Sequence, residues 1–395
     1  MMLQTIANDH QIRSVISFSS HLDIELLRNS ILKTFAAIPI LNSRYTIAKR
    51  GSYWIPQTTN LDSFISLHTA NDTCDLTPFL SNIPDEKGPQ ISFQVIRNEI
   101  YDLLIITIDH MVMDGAGFKF YLYYLASVYS GKDSIVSDCD RRIETVLKNI
   151  SLLSKIRTIL RRSETKSKNV FLDNVDSPEL IYLNLLKITP DEYRKVKAYC
   201  KTHNVTINDF VVSVFAKSIF DVNNSCLVDI TIQVMFDLRR YADKYPVSKY
   251  GNFSSMESVT IRNNEKFSYI LSEVHKSMNK IKRGFPGIKN IMLMHFAFSL
   301  LPAKTFNSLL TSKIESFGIS TSNLGVIDNQ LLQFSGTVVT DAYILTSIKK
   351  QPAVQLSFST FRETVTLSVL GRYSEKNTAV IKKVGEVMKK VISNC

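Results

Sequence analysis

Hydrophobic residues recur along this chain with two periods, which predict strands and helices in turn. Residues 11–18, QIRSVISF, alternate β-branched and polar positions as a half-buried strand does. After Asp23, a residue suited to capping a helix, leucine, isoleucine and phenylalanine recur at helical spacing. Two apolar runs, residues 91–96 and 103–108, are separated by a short polar turn and predict adjacent strands. A helical period resumes after residue 117.

The second half of the chain repeats this order of elements. The pattern of residues 182–189 predicts a strand. A helix capped by Thr189 is predicted to follow, with acidic residues in its first turn. Near the C-terminus, residues 354–373 predict a hairpin that turns at Arg362 and Glu363, followed by an amphipathic helix. Alternating strands and helices predict an α/β fold with layered sheets and helices, built from two similar units.

The pattern weakens between the two halves, where serine and basic residues dominate. We therefore predict an N-terminal subdomain over residues 1–145, a basic crossover linker over residues 146–178 and a C-terminal subdomain over residues 179–395. The basic stretch from Arg141 to Lys168 is expected to be a solvated linker rather than a binding patch.

Composition indicates an ordinary soluble globular protein, with 45% hydrophobic and 21% charged residues. No apolar run approaches the length of a transmembrane helix, so we expect no stable membrane insertion. The longest candidate, residues 291–301, contains His295 and ends at Pro302, and it is interpreted as a buried helix. The N-terminus lacks the basic and apolar regions of a secretory signal, which favours a cytoplasmic protein.

Neither the cysteines nor the net charge defines a function alone. The five cysteines are widely spaced without a CxxC pair, and the histidines form no metal-ligand spacing, so no metal site or disulfide framework is expected. A net charge of +11 can attract nucleic acid, acidic membranes or a small anionic partner. No zinc-finger or aromatic RNA-binding signature accompanies it, so nucleic acid is not expected as a partner, although a phosphate-bearing cofactor or an acidic carrier protein would be attracted equally well.

One short stretch, TIDHMVMDG, places chemistry at a predicted strand end. His110 follows the apolar run, and Asp114 and Gly115 come four and five residues later. A general base needs a neutral imidazole held in one orientation, and an acid that points away from the cleft can hold the turn through a salt bridge. A glycine permits a tight turn and leaves room for the narrow arm of a ligand. The spacing alone fits a histidine at an ordinary strand end equally well.

This motif, together with others, resembles the CoA-dependent acyltransferase superfamily. The superfamily includes chloramphenicol acetyltransferase, peptide-synthetase condensation domains, plant BAHD enzymes, and bacterial alcohol and polyketide-associated acyltransferases. TIDHMVMDG is similar to its HxxxDG motif. Further similar segments occur in the family's order at residues 39–45 (PILNSRY), 205–219 (VTINDFVVSVFAKSI), 236–253 (FDLRRY…YGNF) and 322–325 (SNLG).

The resemblance implies a fold and roles for particular residues. The fold would be two chloramphenicol-acetyltransferase-like subdomains, each a mixed sheet flanked by helices, in a V-shaped pseudo-dimer with a central tunnel. His110 would be the general base, and Arg239 would hold Asp114 in a structural ion pair. The Thr321-Ser322-Asn323 loop would supply an oxyanion or acceptor contact, with Ser322 and Asn323 as the candidates. Asn252 is expected to shape a turn, with a ligand contact as the alternative.

Three departures from the family pattern qualify this assignment. Asp109 stands where condensation domains have a second histidine, so we predict that it takes no part in proton transfer. Asn42 replaces the first arginine of the family's LRxRF segment, and the DFGWG segment of the plant enzymes is absent. An Asp-His pair before xxxDG also resembles dihydrolipoyl acyltransferases, but this chain has two units and no lipoyl-like segment.

The function implied is acyl transfer from a thioester to an alcohol or amine, in secondary (natural-product) or lipid metabolism. No cofactor would be bound permanently, because coenzyme A or a phosphopantetheine thioester is the donor substrate. An acyl or peptidyl carrier protein would act in trans, and the enzyme is expected to be a monomer. The alternatives are a free-standing peptide-synthetase-type condensation enzyme using carrier-bound substrates and a degenerate, non-catalytic docking protein.

Overall fold

The structure is a computed structural model, and it does not describe every residue of the chain. The described residues are 10–48, 51–58, 64–70, 75–80, 88–132, 140–161, 172–173, 181–223, 227–301, 305, 308, 318–349 and 353–395. Most of the N-terminal stretch, much of the predicted linker after residue 161, and Cys74, Cys139 and Cys226 lie outside them. Cys200 and Cys395 are free cysteines.

The first half contains six strands and two long helices in its described residues. They are β1 (Gln11–Phe18), α1 (Ile24–Ala37), β2 (Ser43–Ala48), β3 (Gly51–Pro56), β4 (Ile65–Thr69), β5 (Ile91–Arg97), β6 (Asp102–Asp109) and α2 (Gly115–Tyr129). Two shorter helices follow, α3 (Ile143–Lys148) and α4 (Leu152–Leu160).

The second half continues the alternation of strands and helices. Its described elements are β7 (Ile181–Ile188), α5 (Pro190–Thr202), α6 (Ile207–Val222), β8 (Asp229–Asp237), β9 (Ser254–Arg262), α7 (Phe267–Lys282), α8 (Ile288–Leu300), β10 (Ile319–Ile327), β11 (Val339–Leu345), β12 (Val354–Phe361), β13 (Thr364–Arg372) and α9 (Glu375–Ser393).

The strands form two mixed sheets and a two-stranded ribbon. The first sheet has the order β11-β1-β6-β5-β4, the second has the order β7-β13-β12-β10-β8-β9, and β2 pairs with β3. Parallel pairs (β4 with β5, and β10 with both β8 and β12) occur among antiparallel ones. The first sheet takes its edge strand β11 from the C-terminal part of the chain, so the two units are joined by strand pairing as well as by packing.

Hydrophobic cores lie on both faces of the sheets. One core packs the first sheet against α1 and α2, and a second packs the other sheet against α6, α7 and α9. A third, smaller core lies between the two sheets and includes Val15, Tyr343 and Leu370. Two mixed sheets flanked by helices confirm the predicted fold class.

Several predicted helix and turn signals have the expected local geometry. Asp23 caps α1 by accepting a hydrogen bond from the backbone N–H of Leu26 at 2.9 Å. Thr189 forms a capping box with Glu192, the third residue of the following helix. Thr206, for which no cap was predicted, forms the same box with Asp209. The last hairpin turns at Arg362 and Glu363, which adopt positive φ angles of 44° and 62°.

Residues 39–42 form a 3₁₀ turn before β2, because Pro39 is suited to the start of a helical turn. Two local expectations were wrong. The predicted loop at Thr321, Ser322 and Asn323 is part of strand β10. Helix α8 is not buried as a whole: of its residues only Ile288 is inaccessible, and its contact with strand β9 leaves most of the helix accessible to solvent. In the described part of the chain, no helix is both long enough and apolar enough to cross a membrane.

Candidate functional site

Strand pairing in the first sheet determines where His110 lies. Strands β1 and β6 run antiparallel, with Gln11 opposite Asp109 at the end of the ladder. His110 follows directly, and its backbone N–H donates to the carbonyl of His10 at 2.7 Å. The half-buried imidazole therefore sits at the edge of the first sheet, where the chain turns towards α2.

Asn252, from the second half, contacts both the backbone and the ring of His110. Its Nδ2 donates to the His110 carbonyl at 2.7 Å and lies 3.1 Å from His110 Nδ1. Its Oδ1 accepts from Ser254 Oγ at 3.0 Å, which assigns the orientation of the amide. The ring also hydrogen-bonds its own carbonyl. A hydrogen bond from Nδ1 to that carbonyl needs the ring proton on Nδ1 and leaves the Nε2 lone pair free, whereas acceptance of the Asn252 N–H by Nδ1 needs the other tautomer, so these two bonds of Nδ1 exclude each other.

The surroundings of His110 keep its ring neutral. Desolvation is the largest cause and the nearby His10 the next, and together they lower the pKa of His110 from 6.5 to about 4. The charge of Lys349 also lowers the pKa of His110. The hydrogen bond of the His110 ring to the His110 carbonyl and the charge of the Asp114 carboxylate raise it. At neutral pH the imidazole is therefore in the form that accepts a proton.

A second histidine, unassigned in the sequence analysis, stacks on the first. The rings of His10 and His110 have centroids 5.0 Å apart and planes 30° apart. His10 Nδ1 lies 3.5 Å from Asp109 Oδ1 and makes no hydrogen bond, while Asp109 accepts from the Met111 N–H at 2.7 Å. Only the pairing of β1 with β6 brings residues 10 and 109 together, so no local sequence signal marks His10.

Asp114 joins the two halves through one buried carboxylate that is 3% exposed. It caps α2 by accepting from the Gly117 N–H at 2.7 Å. From the second half it accepts hydrogen bonds from Arg239 Nη1, at 2.8 and 3.0 Å, and from the Phe253 N–H at 2.6 Å. Arg239 is the residue expected from the sequence to hold this aspartate, and it does contact it.

Two arginines hold the segment 249–253 against the turn that carries His110. Arg239 Nη2 donates to the carbonyls of Gly251 at 2.7 Å and Lys249 at 3.1 Å. Arg141 donates to the carbonyl of Tyr250 and, at 2.6 Å, to that of Val112. Arg141 was expected to begin a solvated linker, but its guanidinium is enclosed at this junction and desolvation lowers its pKa.

Glycines at the start of α2 permit close approach by the second half. Gly115 is the first residue of the helix, and a Cβ there would lie 2.3 Å from Leu324 Cδ2. The space beside Gly115, expected to accept a ligand, is thus filled by Leu324. A Cβ on Gly117 would lie 2.7 Å from the Gly251 carbonyl oxygen, a backbone atom that cannot swing aside. Gly117 was not singled out from the sequence.

The two remaining candidates, Ser322 and Asn323, lie on β10, which crosses from one core to the other. Ile319 packs in the second core and Leu324 in the first. Ser322 is buried, at 9% exposure. Asn323 donates to Asn208 at 3.3 Å and accepts from the Gly325 N–H at 2.9 Å. Neither residue hydrogen-bonds His110, so their predicted contact with a reacting group stays a prediction.

The cavity found between the two sheets is separate from His110. A cavity of about 190 Å³ opens between the sheets, lined among others by Ser17, Leu103, Lys187 and Tyr343. None of the predicted site residues lines it. Across the described stretches, no group of three or more His, Cys, Asp or Glu residues could hold a metal ion.

Comparisons with known proteins concern the fold of the chain. Residues 251–384 match the family model described as the WS/DGAT C-terminal domain. A search of curated protein sequences finds no match. The first condensation domain of the CDA synthetase has a similar fold, with a TM-score of 0.68 at 14% identity over 98% of this chain and 92% of that chain.

Two further solved structures have the same fold. Polyketide synthase associated protein 5 from Mycobacterium tuberculosis has a TM-score of 0.64 at 13% identity, over 97% of this chain and 94% of its own. A variant of the starter condensation domain of rhizomide synthetase, in complex with C8-CoA and Leu-SNAC, has a TM-score of 0.68 at 12% identity, over 99% and 91%. These structures confirm the predicted fold, and the family match over residues 251–384 is consistent with the resemblance to the CoA-dependent acyltransferase superfamily.

Proposed function

We propose that this protein is an acyltransferase that moves an acyl group from a thioester to an alcohol or amine, with His110 as the general base. The observation that carries the proposal is how the His110 ring is held in place and kept neutral. Asn252 from the other half contacts both its carbonyl and Nδ1, and the lowered pKa keeps it neutral. A positioned, neutral imidazole at the junction of the two halves suits proton abstraction.

In the proposed reaction, the acceptor O–H or N–H gives its proton to His110 Nε2 as its oxygen or nitrogen attacks the thioester carbonyl. The carbon–sulfur bond then breaks, and the thiolate leaving group takes the proton from the imidazolium. The Asp114–Arg239 pair has no place in this proton transfer. Its proposed role is to hold residues 251–253, and hence Asn252, against His110.

The tetrahedral intermediate carries negative charge that needs preorganised hydrogen-bond donors, each typically worth about 3 kcal/mol. Ser322 and Asn323 remain our candidates for this contact. Both lie on the strand that crosses between the two cores, next to Leu324, which itself packs against Gly115. Ser322→Ala and Asn323→Ala should each slow acyl transfer without changing the melting temperature by more than about 1 °C.

The donor is proposed to be coenzyme A or a carrier-bound phosphopantetheine thioester, supplied in trans to a monomeric enzyme of secondary or lipid metabolism. Similarity to condensation domains along nearly the whole chain supports carrier-bound donors as the second candidate. An assay of thiol release from acyl-CoA thioesters, with simple alcohols and amines as acceptors, distinguishes a CoA donor from a carrier-bound donor. If the acyl group is transferred only from an acylated carrier protein, as measured by the intact mass of the carrier, the hypothesis of a free-standing condensation enzyme is favoured.

The test of the base is His110→Ala. A positioned base contributes roughly 10²–10⁴-fold, so kcat should fall by that factor. His275→Ala is a matched control, since His275 is likewise a partly buried histidine with a side-chain partner, Asp209 at 2.9 Å, but lies away from this junction. Near-full turnover of His110→Ala with a substrate pair used by the native protein would overturn the mechanism and favour the docking-protein reading.

A further inference from the structure

Helix α4 exposes its apolar side to solvent and turns its polar side to the protein. Its large apolar residues lie along one stripe, and Leu160 at its end is 78% exposed. On the opposite side Thr158 is buried, bonded to the Ser154 carbonyl at 2.7 Å. The exposed members of the stripe are Leu152, Leu153, Ile156, Ile159 and Leu160. A helix on a globular surface normally has the reverse orientation.

Helix α8 lies against α4 and extends the same apolar surface. Phe296 and Leu300 are 65% and 64% exposed, and Leu293 and Met294 are exposed as well. The ammonium of Lys289, in the first turn of α8, donates to the Arg161 carbonyl just after α4. The Arg161 guanidinium in turn donates to the Lys280 carbonyl at 3.1 Å, at the end of α7. The two helices are therefore anchored side by side.

The charged residues within α4 and α8 have one sign. Neither α4 nor α8 contains an aspartate or glutamate, while α4 contains Lys155 and Arg157 and α8 contains Lys289. The neighbouring Lys148 and Arg283 are exposed too. Two acids lie beside α8: Glu144 on α3 is 3.5 Å from His295, and Glu257 on β9 accepts from the Gly287 N–H at 2.7 Å, one residue before the helix. We call the exposed apolar residues of α4 and α8, with these basic residues, the α4–α8 surface.

We propose that the α4–α8 surface binds the surface of an anionic lipid membrane. Two adjacent helices that expose leucine, isoleucine and phenylalanine among basic residues have the composition of interfacial helices, whose apolar side enters the headgroup boundary. The basic residues complement the negative surface potential of anionic lipid, and the chain as a whole carries a net charge of +11. A protein partner would more often meet an apolar centre with a mixed polar rim.

The surface is separate from the His110 site, so the inference does not depend on the proposed function. Helix α8 packs on strand β9, the edge of the second sheet, where Asn290 Nδ2 donates to the Met256 carbonyl at 2.7 Å. None of the residues assigned to the site belongs to α4 or α8. Substitutions on the α4–α8 surface should therefore leave acyl transfer between water-soluble substrates unchanged.

The experiment is sedimentation of the full-length protein with vesicles of phosphatidylcholine, alone or with about 30 mol% phosphatidylglycerol. We expect binding to the anionic vesicles, at least about tenfold weaker binding to the neutral ones, and loss of most binding at about 0.5 M salt. Phe296→Ser with Leu160→Ser removes two exposed apolar side chains and should weaken binding at least about tenfold. Lys155→Glu with Arg157→Glu should weaken it at least about 25-fold, since each of the two basic charges lost contributes about fivefold.

Matched controls lie elsewhere on the surface. Ile100→Ser removes an apolar side chain that is 67% exposed, and Lys195→Glu reverses an exposed charge on α5. Both should bind vesicles like the native protein. Thermal unfolding of all variants checks that each is folded.

Three results would overturn the proposal. Equal effects of surface and control variants would mean adsorption through net charge alone. An unchanged affinity after removal of Phe296 and Leu160 would mean that no apolar insertion occurs. No vesicle binding, together with a dimer in light scattering that the Phe296→Ser and Leu160→Ser changes dissociate, would identify a second copy of the chain as the occupant.

Discussion

Replacing Asp114 by alanine tests the junction between the two halves most directly. The carboxylate accepts hydrogen bonds from three groups: the Gly117 N–H, the Phe253 N–H and the Arg239 guanidinium. Alanine leaves all three donors in a region where the native side chain is only 3% exposed. Arg239 keeps contacts to Asp237 and to backbone carbonyls but loses its buried counter-charge.

The expected cost follows from these contacts. Removing one partner of a buried ion pair costs about 3–5 kcal/mol of unfolding free energy. The loss of the helix cap and of the acceptor for two N–H groups is included in this range, because water can partly replace the missing carboxylate. An unfolding entropy of about 2.1 cal/mol/K per residue gives about 0.8 kcal/mol/K for 395 residues. The melting temperature should therefore fall by about 4–6 °C.

Calorimetry of Asp114→Ala beside Asp237→Ala supplies the matched comparison. Asp237 contacts the same Arg239 Nη1, at 3.0 Å, but its side chain is 45% exposed. An exposed ion pair is worth at most about 1 kcal/mol, so Asp237→Ala should lower the melting temperature by only about 1 °C. Adding Arg239→Met to Asp114→Ala should cost less than the sum of the two single changes, because the stranded cation is removed. Equal, small shifts for the two aspartate variants would refute the structural role of the pair.

Three further predictions concern the support of His110. His10→Phe keeps the stacked ring but removes the neighbouring charge that lowers the pKa of His110. Because only the neutral His110 ring is active, activity is lost as pH falls through this pKa, and the acid limb of the kcat/KM profile should move from about pH 4 to higher pH. An unmoved limb would exclude an effect of His10 on the pKa of His110. Asn252→Ala should lower kcat by about tenfold or more with little change in KM, because the turn that carries His110 loses the bond to its carbonyl and the ring loses a neighbour that orients it; a change in KM alone would instead indicate a ligand contact. Gly117→Ala should destabilise the fold more than Gly115→Ala, since the new methyl group meets the Gly251 carbonyl rather than the flexible end of Leu324; denaturant unfolding compares them, and equal stability would contradict the reasoning.

Local elements were predictable because their signals are local. The cap at Asp23, the capping box at Thr189 and the hairpin turn at Arg362 and Glu363 depend on residues within a few positions of each other. The link between Asp114 and Arg239 spans 125 positions, and it came from the resemblance of two separate motifs to one superfamily. Motif order therefore supplied the long-range information that periodicity lacks.

The features that escaped prediction depend on what packs beside an element. His10 reaches His110 only because β1 and β6 pair in one register, and a shift of one residue would turn it to the other face. Helix α8 has apolar residues on all sides, a pattern typical of a buried helix, yet Phe296 is exposed. Periodicity reports how apolar a face is. It does not report whether another element covers that face, and here the mismatch marks a candidate lipid-binding surface.

The contacts of the site make the state of His110 dependent on how the two halves meet. His110 receives one support from its own half, the backbone bond to His10, and one from the other half, Asn252. Asn252 precedes Phe253, whose N–H binds Asp114, and follows Gly251, whose carbonyl binds Arg239. Any separation of the halves would release Asn252 from the ring and unpair the Asp114 carboxylate in the same step. Closure of the junction and the orientation of the proposed base are therefore one structural event, which explains why a residue outside the proton transfer should affect rate and stability together.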